Sequence, residues 1–305
     1  MSYKPKKYEW DVLKTTYGDE IRLKRALKKI FNDAIKDLNE NIQWLYNQDT
    51  KSKIYQAKFQ EQVLNEINNS MNMLSATEVK QVKDYLKLCY SSGYASSLFC
   101  LNQQGIPYAK GFRTAQIIKV LSETKLSEGI EKALYKDIEK LKKPIRRIII
   151  NGIATDKNYT ETAQEIEKAT SIAKNRAMLI ARTEGHRVAV SASFDAMKEA
   201  AEVIEIKKQW CATLDDRTRE SHRMLDGELV DLDEEFSNGL MYPGDPNGDP
   251  EEVINCRCVL LERPTRMLSE KDKKEWEVRS KELGVYGVKD FGTYRDILAK
   301  QSEDV

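Results

Sequence analysis

Apolar residues recur at helical spacing through most of this chain. Ile21, Leu23, Leu27, Ile30, Phe31, Ile35, Leu38, Ile42 and Leu45 form one stripe between residues 19 and 47. Residues three and four apart share a helix face, so this predicts a long amphipathic helix. A second stripe through Phe59, Val63, Ile67, Met71 and Leu74 predicts a helix over Tyr55–Leu74. Ser75 and Glu78 then have the spacing of a capping box. A third helix is therefore expected from Ser75 to about Gln104, stopped by Gly105 and Pro107. More helix is predicted at Thr114–Glu123 and Ser127–Lys143, with Pro144 as the interruption.

The pattern changes after Ile148-Ile149-Ile150. The run 151–158 is turn-like, a short helix is expected at Thr160–Ala169, and Ser171 is placed to cap an alanine-rich helix to about Ala201. Glu184 falls on the apolar stripe of that helix, four residues from both Ile180 and Val188. A carboxylate on a buried face needs a cationic or hydrogen-bonding partner. Arg217 or Arg257 is the expected partner; a catalytic role for Glu184 is the alternative. Arg182 and His186, four apart, share a neighbouring face.

Alternation then replaces helical periodicity. Val203–Thr213 reads as a strand with Trp210 and Cys211 on opposite faces. Asp215–Met224 reads as a short helix, Asp226-Gly227 as a turn, Gly239–Pro250 as a long loop, and Asn255–Glu262 as a returning strand. From about Ser269 the chain reads as charged helix and then a Gly- and Tyr-punctuated tail. The expected fold is mainly α: a helical N-terminal half over 1–150, a small α+β domain with a short antiparallel sheet over 151–264, and a charged helical C-terminal tail over 265–305.

Composition adds little until it is split. The net charge is +1, but residues 1–150 carry 27 basic against 17 acidic side chains, a surplus of 10, and residues 151–305 carry 23 against 32, a deficit of 9. The basic half, with Arg22, Lys24, Arg25, Lys28 and Lys29 close together, is either a set of solvated helix faces or a surface for an anionic partner. No apolar run approaches the roughly 18 residues of a membrane span, and no apolar segment follows the charges of the first ten residues, so no leader is expected. An odd cysteine count, 5, argues against a disulfide framework. Cys89 and Cys100 sit in apolar helical sequence and read as small core residues.

The candidate chemistry is concentrated in 210–264. Three of the five cysteines and one of the two histidines lie there. Cys256 and Cys258 are two apart on an expected strand, so both point to one face. Pairing with the first strand would let Cys211 face them, and His222 lies on the connection. Three readings stay open. Cys211, His222, Cys256 and Cys258 make a structural zinc set of the Cys3His kind, at a spacing that matches no common module. Alternatively, they are buried thiols around a hydrogen-bonded histidine, or a Cys–His nucleophile pair.

Taken in order, Ala181-Arg-Thr-Glu, Trp210, Asp216-Arg-Thr-Arg, Ser221-His222, Leu225-Asp226-Gly227, Tyr242-Pro-Gly-Asp-Pro and Asn255-Cys-Arg-Cys resemble the phage Mu protein F-like domain of minor head, or head morphogenesis, proteins. The resemblance covers about residues 150–264. It implies a few-copy minor capsid protein of a tailed phage or prophage that associates with the portal protein and capsid interior and supports head assembly or DNA delivery. Packaged DNA is a further candidate partner. The implied location is the host bacterial cytoplasm during assembly, then the virion head interior. The family is not in general enzymatic. Some relatives carry a toxin domain after the F-like domain, and the roughly forty residues after Pro264 are short for one. The alternative function is an enzyme or DNA-binding packaging accessory, with Glu184, His222 and Asp226 as catalytic groups beside Cys256 and Cys258. Cys211 is not a position associated with the family.

Overall fold

The computed structural model describes residues 6–46, 57–124, 128–155 and 157–303. The expected helix starts at Tyr55 and Ser127 lie outside the described residues, as do the first five residues; the side chain of Leu45 is likewise not described. The architecture is mainly α with one small antiparallel sheet, as expected. The helices are α1 (Lys7–Tyr46), α2 (Ala57–Gln103), α3 (Thr114–Ser122), α4 (Ile130–Ala154), α5 (Tyr159–Ala200), α6 (Glu220–Met224), α7 (Pro250–Val253), α8 (Glu270–Glu282) and α9 (Phe291–Glu303); the strands are β1 (Ile206–Cys211), β2 (Leu229–Asp231) and β3 (Val259–Pro264). No described helix is long and apolar enough to cross a membrane.

Several expected breaks are absent. Residues 57–103 form one helix. Ser75 is buried with its hydroxyl unpartnered, and Glu78 is buried rather than capping. The stripe continues from Met71 and Leu74 into Val79 and Val82, all buried, so apolar burial outweighs the local cap signal. Ser171 likewise lies inside α5, where its hydroxyl donates to Lys168 O at 2.7 Å. Pro144 sits within α4. It removes a backbone donor, but Leu141, Ile145, Ile149 and Ile153 on the same helix are all buried and hold the helix through it. The turn expected at 151–158 begins only after Ala154. At the C-terminal end, the punctuated segment forms α9, whose Arg295 donates to Asp19 Oδ2 at 2.7 Å and Ser92 Oγ at 3.3 Å.

The chain divides into two compact units. One comprises residues 21–84 and 126–181. Its core joins the two predicted stripes, through Phe31, Ile35, Leu38 and Ile42 of α1 and Phe59, Val63, Ile67 and Met71 of α2, to Ile138, Ile145 and Ile149 of α4 and Ile166 of α5. The other comprises residues 1–20, 85–125 and 182–305 and contains the sheet. Within it, α2 and α5 approach so closely that a Cβ at Gly93 would lie 1.9 Å from Ala189 O. Only glycine fits there without backbone movement.

The sheet has order β2-β1-β3, both pairs antiparallel. β1 pairs Gln209 with Leu229 and with Leu261, and Trp210 with Leu260. β2 was not foreseen; it lies in the connection between the two expected strands and pairs with Lys207, Lys208 and Gln209 of β1. The strand period separates the residues of β1. Lys208 and Trp210 face the core that holds Phe194, Phe236, Leu260, Cys256 and Cys258. Gln209 faces the other way, where Arg263 Nε donates to its Oε1 at 2.8 Å. Lys208 is fully buried, its ammonium donating to Leu232 O at 3.1 Å and lying 4.9 Å from the Phe194 ring centre.

Candidate metal centre and the loops that build it

After β1 the chain turns through Asp215 and Thr218 into α6, which begins at Glu220 rather than at Asp215. Gly227 N donates to Trp210 O at 2.9 Å, and Ala212 N donates to Asp226 Oδ1 at 3.0 Å. These bonds tie the far end of α6 back to β1. His222 is thereby carried inward and is buried, with its ring edge-on to Trp210 at 5.2 Å between centres.

The second wall is the segment before β3. Cys256 and Cys258 lie in extended chain just ahead of that strand rather than within it. Asn255 turns the backbone at φ 57. The Cys-x-Cys spacing sends both thiols inward and Arg257 outward. Arg257 grips Asp215 with both terminal nitrogens, Nη2 to Oδ1 at 2.5 Å and Nη1 to Oδ2. This pair holds the Asp215 carboxyl well below the usual carboxylate range. Thr213 Oγ1 donates to Arg257 O at 2.7 Å, and Arg219 Nη2 to Ile254 O at 2.5 Å. The loop is thus pinned ahead of the two cysteines and between them.

Three of the four expected ligands converge. His222 Nδ1 lies 3.6 Å from Cys256 Sγ and 3.4 Å from Cys258 Sγ. All three side chains are buried, and their donor atoms lie within 4.8 Å of one another. Cys211 does not join them. It pairs with Val259 across β1 and β3, which puts it on the face opposite Trp210, Leu260 and the cluster. Burial pushes the Cys211 thiol up to about 12. Cys258 is shifted the other way: the Cys256 thiol donates to it and His222 faces it, which favours its thiolate. Cys256, as the donor, is raised.

The expected carboxylates do not join the cluster either. Glu184 is buried, but its partner is Arg187 on the same helix, at 2.8 Å, rather than Arg217 or Arg257. Arg257 is committed to Asp215, and Arg187 also donates to Val120 O at 2.9 Å. Asp226 serves the backbone of β1, as described above.

Two site residues escaped the sequence reading. Glu252 on α7 brings its carboxylate 2.8 Å from His222 Nε2, a close approach without hydrogen-bond alignment, and accepts from Ser221 Oγ at 3.1 Å. His186 of α5 lies 2.7 Å from Cys258 O through Nε2, so that nitrogen carries the proton. Its Nδ1 is buried against Gly244, where a Cβ would come within 2.9 Å and where φ is +81. Burial lowers the pKa of His186. The one available signal for His186 was that the chain has only two histidines.

Residues 143–261 match the family model described as Phage Mu protein F like protein. Over that stretch the chain is similar to the phage Mu F-like family. That stretch contains β1, β2, both histidines and the Cys256–Cys258 loop. Beyond the domain, the chain is 26% identical over 258 residues to Minor head protein GP7 of Bacillus phage SPP1, covering 80% of this chain and 84% of that one. It is 29% identical over 245 residues to NAD(+)--arginine ADP-ribosyltransferase EFV of Enterococcus faecalis, covering 77% of this chain and 50% of that one. The chain therefore spans half the length of the enterococcal relative. The protein YqbB of Bacillus subtilis matches over 121 residues at 26% identity, covering 38% of this chain and 40% of that one. No solved structure matches.

Proposed function

We propose that the chain is a minor head protein of a tailed phage or prophage, a few-copy component that docks on the portal and capsid interior. It is made in the host cytoplasm and carried into the virion head, where it supports head assembly or DNA delivery. The observation that carries this reading is the extent of the similarity to the SPP1 minor head protein. It takes in 80% of this chain, so the helical segments outside the Mu F-like domain are included.

The charge distribution supports a binding role. The surplus of 10 positive charges on residues 1–150 suits an acidic portal surface or packaged DNA. The enterococcal relative is named for an enzyme activity, but two of the groups an enzyme reading would draw on here are engaged structurally: Glu184 by Arg187 and Asp226 by the backbone of β1.

Co-expression with the portal protein of the same phage tests the docking. Co-elution of the two proteins at about 0.15 M salt is expected; separate elution contradicts it. The DNA contribution has its own readout, because neutralising phosphates releases counterions and affinity then falls steeply with salt. Affinity for duplex DNA that does not change with salt removes DNA from the partners.

A further inference from the structure

We propose that His222, Cys256 and Cys258 form a zinc site with three protein ligands, Cys211 excluded and the fourth position filled by solvent. Zinc bonds of about 2.3 Å to sulfur and about 2.0 Å to nitrogen, arranged tetrahedrally, give nitrogen–sulfur edges of about 3.5 Å. The two edges from His222 Nδ1 are 3.4 and 3.6 Å. Two thiols and an imidazole nitrogen are a donor set that selects zinc over magnesium or calcium.

The surroundings are those of a built site. A ligating histidine commonly offers its other ring nitrogen to a carboxylate, which fixes the ring and raises its basicity. Glu252 stands at that nitrogen, 2.8 Å away. The Trp210 ring meets the imidazole edge-on, and the Arg257–Asp215 pair, with Thr213 and Arg219, fixes the backbone ahead of the thiols and between them. The donors come from two segments 34 to 36 residues apart in sequence, so bound zinc would clamp α6 onto the start of β3. Zinc binds both sulfurs as thiolates, so the proton that Cys256 holds is released to solvent on binding.

The test uses the full chain, purified with zinc present and passed through gel filtration. About one zinc per folded chain is expected by elemental analysis. Cobalt(II) replacing it should give thiolate charge-transfer absorption together with the intense visible bands of tetrahedral cobalt. Cys211→Ser should keep both signals, Cys258→Ser should abolish them, and Glu252→Gln should weaken affinity by about 10–100-fold while leaving the cobalt spectrum intact. If Cys258→Ser does not fold, the wild-type stoichiometry and cobalt spectrum decide alone. A folded chain without stoichiometric zinc and without thiolate–cobalt absorption overturns the site, and the three groups are then a hydrogen-bonded core. Loss of metal in folded Cys211→Ser overturns the three-ligand assignment.

Discussion

The aliphatic unit of residues 21–84 and 126–181 and the sheet-bearing part of the other unit solve the same problem with different chemistry. In the first, the core is almost wholly Ile, Leu, Val, Phe and Met at helical spacing, with the Glu78 carboxyl buried alongside. In the second, the core around β1 holds Trp210, two cysteines and aromatic rings, and His222, Lys208 and Glu262 are buried in the same unit. Non-directional burial tolerates substitution, whereas thiols, imidazole and ammonium require particular partners at particular distances. The second core around β1 lies within the stretch that matches the Mu F-like family model, which also takes in Ile145, Ile149 and Ile166 of the first core.

The largest test of this contrast is Trp210→Ala. Trp210 is fully buried, edge-on to both His222 and Phe236 at 5.2 Å. Its truncation is expected to cost about 3–5 kcal/mol by urea denaturation and to expose Cys256 and Cys258 to thiol reagents. A loss under about 1 kcal/mol would mean that the second core is as adaptable as an aliphatic one.

Glu78→Gln probes, through pH, the one buried carboxyl among the described residues of the first unit. Burial, helped by the charge of Asp137, pushes Glu78 from 4.5 up to about 8. A raised acid holds its proton more tightly folded than unfolded, so its contribution to stability falls as pH rises from 4.5 through about 8. The variant should match the wild type near pH 5 and be more stable above pH 8, by on the order of a few kcal/mol. A difference independent of pH would contradict the assignment. Glu262, also raised to about 8 by burial, gives the same slope in the second unit and is unchanged by the variant.

The smallest expected effect is that of Asp215→Asn. Its pair with Arg257 is half-exposed, so global stability should change little, by about 1 kcal/mol or less. Hydrogen exchange at residues 255–258 should nevertheless quicken, because the pair pins that loop. Unchanged exchange there would show that Thr213 and Arg219 suffice.

The two cores also differ in how much of them could be read beforehand. The stripe from Leu23 to Ile42 placed the first core directly, because burial at helical spacing leaves a periodic record. Cap signals at Ser75 and Ser171, and the break at Pro144, misled because packing along long helices outweighs local preferences worth about 1 kcal/mol each for caps and about 3 for proline. In the second core the Cys-x-Cys spacing and the antiparallel return of β3 were legible, and so was the opposite facing of Trp210 and Cys211. Cys211 was nevertheless expected among the ligands, because the sequence did not show that the cluster lies on Trp210's side of β1. Glu252 and His186 were not legible as site residues. Their approach to His222 and Cys258 depends on loop geometry with no sequence period, as does the choice of Arg187 as the partner of Glu184.

The head-protein assignment is tested most directly by quantitative mass spectrometry of purified virions and proheads from the source phage. The account predicts a few copies per particle, retained with the head after tail removal. Absence from both particles, with the chain expressed in infected cells, would contradict it.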